Sequence, residues 1–347
     1  MRPCAFAIPG DHRQKTGGFI YERRLLEELQ AVGRQVTHIA LPAGAAAAEQ
    51  SAALRREVSK VLEALPPDQP LILDGLVFAA MPPEALARLT CPVVAMLHHP
   101  MGMEQGLPAD IAQHLLAQER TNLSLAAEIV VTSPHTRQTY IGLGADPARI
   151  TVALPGHDGP RDLTRVEAGP RILSVGLLAR RKGHDVLIRA LARVADLEWT
   201  ASIVGKIHDA AVADELALLI AEHGLGTRVA LTGELPDAAL AEAYRKARIF
   251  ALATRYEGYG MALAEALCHG LPIVSCDTGA VPGTVGQAAL LAAPDDPAAF
   301  AGHLRTLLLS QAARDELARR SRVLGQKLPR WKDTAAVMGL VLDGLRC

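Results

Sequence analysis

The sequence predicts an α/β protein built from two parallel-sheet domains, and three observations carry that expectation. Short apolar runs alternate with helical patterns along nearly the whole chain, the arrangement of parallel strands joined by covering helices. The 347 residues exceed what a single hydrophobic core sustains, so two cores are needed. Hydrophobic residues make up 50% of the chain and charged ones 21%, enough apolar material to bury sheets on both faces and too little charge for a disordered chain.

In the first half, apolar runs predict strands at Cys4–Pro9, Val36–Leu41, 70–73, Val93–Leu97, 128–132 and 150–153. Between them fall helices at 19–32, in the Ala-rich stretch reaching residue 65, at 109–126, and in a shorter segment opening at Ser133 and Pro134. There the serine suits an N-cap and the proline the first helical position. The segment 155–170, PGHDGPRDLTRVEAGP, is dense in Gly, Pro and charge without periodicity and marks the domain boundary. Alternation then resumes: strands at Arg171–Val175, 199–204, 229–231, 249–253 and 272–275, with helices at 185–195 and 261–269. The amphipathic stretch 331–345 reads as a last helix. The expected domains are thus residues 1–160 and 161–328, followed by a terminal segment, 329–347.

Composition excludes several function classes. Net charge is −1, no Lys/Arg block stands out and aromatics are 3%, so neither an electrostatic footprint nor a stacking platform for nucleic acid is present. No run reaches the roughly 18 apolar residues of a membrane span, and residues 1–8 enter a strand without the regions of a secretory leader. Residues 1–160 carry 13 Lys and Arg against 16 Asp and Glu, which argues against a basic lipid-docking face and limits membrane association to a peripheral one. The five cysteines are scattered and form no C-x-x-C, so a reducing, cytoplasmic location is expected. No D-x-D sequence and no zinc-like His or Cys spacing is found, so no metal site is expected.

The most informative stretch is 255–272, RYEGYGMALAEALCHGLP. A glycine-containing turn after an apolar strand opens a helix, whose free N–H groups and positive dipole end form an anion site. Glu257 and Glu265 are eight positions apart, about 12 Å at a helical rise, which suits opposite ends of an extended ligand. By spacing alone, a loop carboxylate and a solvated helix face fit equally well. Upstream, Lys182 and Gly183 lie in a strand-to-helix loop, where an ammonium can reach a phosphate and the backbone can come close to it.

The whole Glu-x7-Glu string, with Gly260 inside it and ALCHGLPIVS following, strongly resembles the signature of the retaining GT-B glycosyltransferases of glycosyltransferase family 4. The resemblance extends through LSVGLLARRKGHDVLI, 173–188, and LTGELPDAAL, 231–240, and so covers nearly all of the second half. It implies a GT-B fold, two Rossmann-like domains facing an interdomain cleft, with the terminal segment packing back on the N-terminal domain. It further implies a metal-independent hexosyltransferase using a UDP-, GDP- or ADP-sugar as donor, with no cofactor and a small-molecule or glycan acceptor. Retention would follow from the leaving diphosphate helping to deprotonate the acceptor on the same face of the sugar.

Carried over residue by residue, the resemblance puts the donor phosphate on Lys182, sugar hydroxyls on Glu257 and the ribose on Glu265. Gly205, Gly233, Gly258, Tyr259, Gly260 and Met261 complete the donor site. The family arginine just after the strand glycine is replaced by Leu177, so either Arg180 or Arg181 supplies the missing charge or Lys182 and backbone groups hold the diphosphate alone. In the first half, Gly17 and Gly18 follow the first strand, where the family places a loop against donor phosphate and acceptor. Asp11, His99 and Glu104, with Gln105 beside it, are candidate acceptor contacts, and His98, just past a buried strand, aligns with the family histidine that touches the transferred sugar. Read without the family, a histidine there is more often structural, and the role of Asp74, which also ends a strand, stays open. A nucleotide-sugar 2-epimerase of the same architecture and a non-catalytic bilobed sugar-binding protein are the alternatives. A nicotinamide dehydrogenase lacks its G-x-G-x-x-G fingerprint here.

Overall fold

The computed structural model describes residues 1–104, 106–158 and 169–345. The chain divides into two compact units, Met1–Gly156 with Pro329–Cys347, and His157–Leu328. The 160/161 boundary read from the sequence lies outside the described residues.

In the first unit the strands are β1 (Cys4–Pro9), β2 (Val36–Leu41), β3 (Leu71–Asp74), β4 (Val93–Leu97), β5 (Glu128–Val131) and β6 (Ile150–Val152). They pair in parallel in the order β2-β1-β3-β4-β5-β6. Every residue of β1, β3 and β4 is buried, which is why these strands read as unbroken apolar runs: helices cover both faces. Leu71, Leu73, Phe78, Val93, Ala95, Leu97, Ile129 and Tyr140 belong to the core on one side. The helix Gly75–Ala80 starts directly after β3, and Asp74 caps it through Oδ1, which accepts from Leu76 N at 3.0 Å and Val77 N at 2.9 Å. Ser133 caps the helix Pro134–Gly142 as its sequence suggests, its side chain accepting from Thr136 N.

The terminal helix Trp331–Gly344 packs on the helix Gly17–Ala31 of the same unit. Arg34 Nη1 and Nη2 each donate to Asp343 at 2.9 Å, the Trp331 and Tyr21 rings meet edge-on at 5.8 Å, and Thr334 Oγ1 donates to Leu154 O at 2.8 Å. Gly156 runs so close to this helix that a Cβ there would lie 2.3 Å from Trp331 backbone atoms. No described helix is long and apolar enough to cross a membrane.

In the second unit the strands are β7 (Arg171–Val175), β8 (Thr200–Val204), β9 (Val229–Gly233), β10 (Ile249–Leu252), β11 (Ile273–Cys276) and β12 (Ala289–Ala292), all parallel, in the order β12-β11-β10-β7-β8-β9. Counted within the unit and read from the other edge, this is the 3-2-1-4-5-6 order of a doubly wound nucleotide-binding sheet. One face buries Leu187, Leu191, Trp199, Phe300 and Leu304; the other buries Phe250, Leu252, Leu263 and Ile273.

Strand order fixes where ligands can enter. In an open α/β sheet, the loops leaving two neighbouring strands at the point where the winding reverses diverge and leave a crevice beyond their carboxyl ends. In the first unit that point lies between β1 and β3, and in the second between β7 and β10.

Candidate functional site

Lys182 and Glu257, 75 positions apart, meet at the switch point of the second unit because they follow the adjacent strands β7 and β10. Lys182 Nζ donates to Glu257 Oε1 at 2.6 Å, and the aliphatic part of Lys182 lies over Gly176, where an added Cβ would stand 3.2 Å from Cδ. Thr254 Oγ1 is 3.0 Å from the same Glu257 oxygen, and Arg181 Nη1 is 3.8 Å from Oε2. Glu257 is 5% exposed. Burial alone would raise its pKa, but Lys182, Arg181 and the bonds from Lys182 and Thr254 outweigh burial and hold the carboxyl below its usual range. The group is therefore a carboxylate at neutral pH, fixed in place and able to accept further hydrogen bonds.

The two arginines beside Lys182 separate clearly. Arg181 lines the cluster, with its side chain 20% exposed, whereas Arg180 turns outward, 59% exposed, and pairs with Glu215 at 3.0 Å. Arg255 ties the loops together: it donates to both oxygens of Asp185 at 2.9 Å, to Asp295 Oδ1 at 2.7 Å and to Arg180 O at 2.6 Å. Sequence reasoning missed the roles of Thr254, Asp185 and Arg255, although Asp185 lies in the 173–188 stretch and Arg255 opens the 255–272 stretch.

Glycines supply the close approaches. Gly183 has φ +62, and a Cβ there would lie 1.9 Å from Ala253 O; Gly205 would meet Gly176 O at the same distance. Gly183→Ala is expected to destabilise the protein by about 3 kcal/mol or more, since a left-handed non-glycine residue and a backbone clash each cost about 1–3 kcal/mol. Urea unfolding that shows a loss under about 1 kcal/mol would contradict this packing. Gly233, with φ +70, ends β9 and has open space where a Cβ would be. Gly260, with φ +92, opens the helix Met261–Cys268, whose first turn no side chain caps, so its amino end presents N–H groups and a positive dipole. Gly258, Met261 and Glu265 are half-buried around that turn; Tyr259 is buried and its ring stacks at 6.5 Å on His157.

At the switch point of the first unit, Gly17 and Gly18 form the first residues of the helix Gly17–Ala31, two residues earlier than its apolar pattern suggested. A Cβ on Gly18 would stand 3.6 Å from His98 Cδ2, so the helix start and the imidazole are neighbours. His98 and His99 point to different surroundings: His98 Nε2 turns inward to 3.9 Å from Glu22 Oε1, while His99 Nε2 bonds Glu104 Oε2 at 2.6 Å. Asp11 is exposed and accepts from Arg13 N at 2.9 Å. Gln105 lies outside the described residues. A surface cavity of about 640 Å³ against Arg171, Trp199, Thr200 and Arg228 sits at the amino ends of β7 and β8, away from the switch point.

Two doubly wound units with these clusters define the GT-B class of fold. A sucrose-phosphate synthase from Thermosynechococcus elongatus superimposes with a TM-score of 0.82 over 99% of both chains at 22% identity. Anabaena HepE, in complex with UDP and glucose, does so with 0.76 over 99% of this chain and 100% of its own at 16% identity. Residues 160–323, which fall within the second unit, match the family model described as glycosyl transferases group 1. A D-inositol 3-phosphate glycosyltransferase from Catenulispora acidiphila is 30% identical over 217 residues, 56% of this chain and 51% of its own. The chain thus spans about half the length of the curated relatives it matches.

Proposed function

We propose that the protein is a retaining, metal-independent hexosyltransferase of glycosyltransferase family 4, moving a sugar from a nucleotide-diphosphate donor to a hydroxyl of a small-molecule or glycan acceptor in the cytoplasm, at most peripherally attached to a membrane. The observation that carries this reading is the Lys182–Glu257 pair at the β7/β10 switch point, beside the uncapped amino end of the Met261–Cys268 helix. A diphosphate needs cations and N–H donors, and a hexose needs a fixed anionic acceptor; both kinds of group converge there. Lys182 carries three N–H donors, so bonding Glu257 is compatible with holding a phosphate oxygen. Arg181 is assigned the charge that Leu177 does not provide, because it borders Glu257 while Arg180 is engaged with Glu215. Glu265 is assigned to the ribose, and Gly205 and Gly233 to close approach of the nucleotide. In this scheme leaving-group charge is met by preorganised cations and dipoles rather than by a Lewis acid. His98 serves the transferred sugar, the helix start at Gly17 and Gly18 the donor phosphate and acceptor, and Asp11, His99 and Glu104 the acceptor.

Thermal-shift measurements against UDP, GDP, ADP and their sugars test the donor assignment, UDP first because the Anabaena neighbour holds UDP. A true donor at about 100 times its Kd stabilises by about 2.7 kcal/mol. If no nucleoside diphosphate shifts the transition and no sugar nucleotide is turned over, the transferase reading fails. Conversion of the donor alone to an epimer would favour the epimerase instead.

A further inference from the structure

The first unit buries a second set of ionisable groups that the donor chemistry does not use. Glu22, on the helix Gly17–Ala31, is 1% exposed, and Asp74, at the end of β3, is 4% exposed. Among the described residues no donor bonds either Glu22 oxygen; the group facing them is the Asp74 carboxyl, within hydrogen-bonding reach. Two carboxyl groups can bond each other only through a proton. Asp74 Oδ1 also accepts from the N–H groups of Leu76 and Val77. His98 Nε2, buried and without a hydrogen-bond partner among the described residues, lies 3.9 Å from Glu22 Oε1.

The surroundings hold this set rigidly. Thr136 Oγ1 donates to His98 O at 3.3 Å, and the Tyr21 ring packs edge-on against the imidazole at 5.3 Å with its hydroxyl committed to Ala153 O at 3.0 Å. Gly75 lets the chain after Asp74 run tightly past β4, since a Cβ there would be 2.7 Å from Met96 O. A core needing only volume at these places is better served by apolar side chains, and groups of this kind at the carboxyl ends of adjacent strands mark a working site.

We propose that Glu22 and Asp74 form a proton-sharing carboxyl pair that positions His98, keeping Nε2 protonated and turned inward so that Nδ1 is left as the nitrogen that accepts a hydrogen bond from a ligand hydroxyl. Glu22 and Asp74 are positioning residues here; only His98 would touch the sugar, and that contact rests on the function proposed above. The titratable groups facing His98 are Tyr21 and Glu22 from the helix and Asp74 from β3. Burial pushes the Glu22 carboxyl up to about 7 and Asp74 well above its ordinary value, and it lowers the pKa of the imidazole, which is neutral when the pair ionises. As pH rises through 7, the pair therefore goes from neutral to singly charged beside Nε2.

The test is the ¹⁵N shifts of the His98 ring in histidine-labelled full-length protein without ligand, assigned by loss of its signals in His98→Gln. The wild type should show the Nε2–H tautomer and an inflection near pH 7 that is lost in Glu22→Gln. Asp74→Asn keeps the helix cap, so it serves if Glu22→Gln does not fold, and it should move the inflection to higher pH, because the Asp74 bond that lowers the Glu22 pKa is lost while its burial stays. Turnover in either variant should fall about tenfold with donor KM unchanged. His98 shifts that are flat through neutral pH in the wild type, or identical in wild type and a folded variant, overturn the proposal. Because the spectra need no substrate, they stand even if no sugar nucleotide is turned over, and failure of the transferase reading is seen separately.

Discussion

In Lys182→Ala, turnover is expected to fall by about 10²–10³-fold, the usual consequence of removing one preorganised group that meets charge in a transition state. The substitution deletes the ammonium bonded to Glu257 at 2.6 Å and leaves that carboxylate buried with Thr254 at 3.0 Å and Arg181 at 3.8 Å. Donor affinity should weaken along with kcat, because the same ammonium is assigned to the bound diphosphate. Stability offers a separate readout. Removing one partner of a buried pair costs about 3–5 kcal/mol, and if Lys182 and Glu257 act on one another, the double substitution Lys182→Ala/Glu257→Gln should cost less than the sum of the singles. Unchanged donor affinity and unchanged turnover in a folded Lys182→Ala protein would remove the phosphate assignment.

Glu257→Gln is the complementary change, and it is expected to lower kcat/KM by a similar factor, about 10²–10³-fold, through loss of the fixed acceptor for sugar hydroxyls. Gln keeps the shape but leaves Lys182 and Arg181, whose side chains are 13% and 20% exposed, without their carboxylate. Stability should drop by about 3 kcal/mol at pH 7. The folded pKa of Glu257 is depressed, so its contribution is complete above the unfolded value of about 4.3 and is lost as pH falls through the folded value. The stability gap between wild type and variant should therefore be constant from pH 7 to about 5 and shrink below that. Urea titrations at several pH values check this, and a gap that grows on acidification would contradict an ionised Glu257.

The parts of the fold legible in the sequence were those where burial writes directly into composition. β1, β4 and β7 stand where their apolar runs put them, because strands covered by helices tolerate little else, and β2 does so although only Leu41 in it is buried. β12 and the helices Pro297–Leu309 and Gln311–Gly325 were not resolved, since that stretch is Ala- and Leu-rich enough for helix and strand to look alike. Gly75–Ala80 escaped for a related reason: an all-apolar helix of six residues opening on glycine has no polar face to set a period.

The candidate site divides in the same way. Lys182 and Glu257 were visible because their loops carry glycines in distinctive places, yet their bond across 75 positions depends on strand order. Choosing Arg181 over Arg180 required knowing which side chain turns toward Glu257. Glu22, beside Arg23 and Arg24, reads as part of a solvated helix face, and only the folded chain, which brings it to Asp74 and His98, reveals it as buried. The resemblance favoured His98 over His99, but that Glu104 engages the His99 ring and Glu22 approaches the His98 ring is visible only in the fold.

Because Arg34, Tyr21 and Trp331 fasten the last helix to the first unit, the second unit is a single uninterrupted cassette whose splice points, near Gly156 and Pro329, lie side by side. A graft that exchanges it for a homologous cassette would leave the contacts of the last helix with the first unit in place. Residues 1–156 expressed alone would instead bare the Tyr21 edge and strand the Arg34 guanidinium, 4% exposed in the folded protein, without its carboxylate.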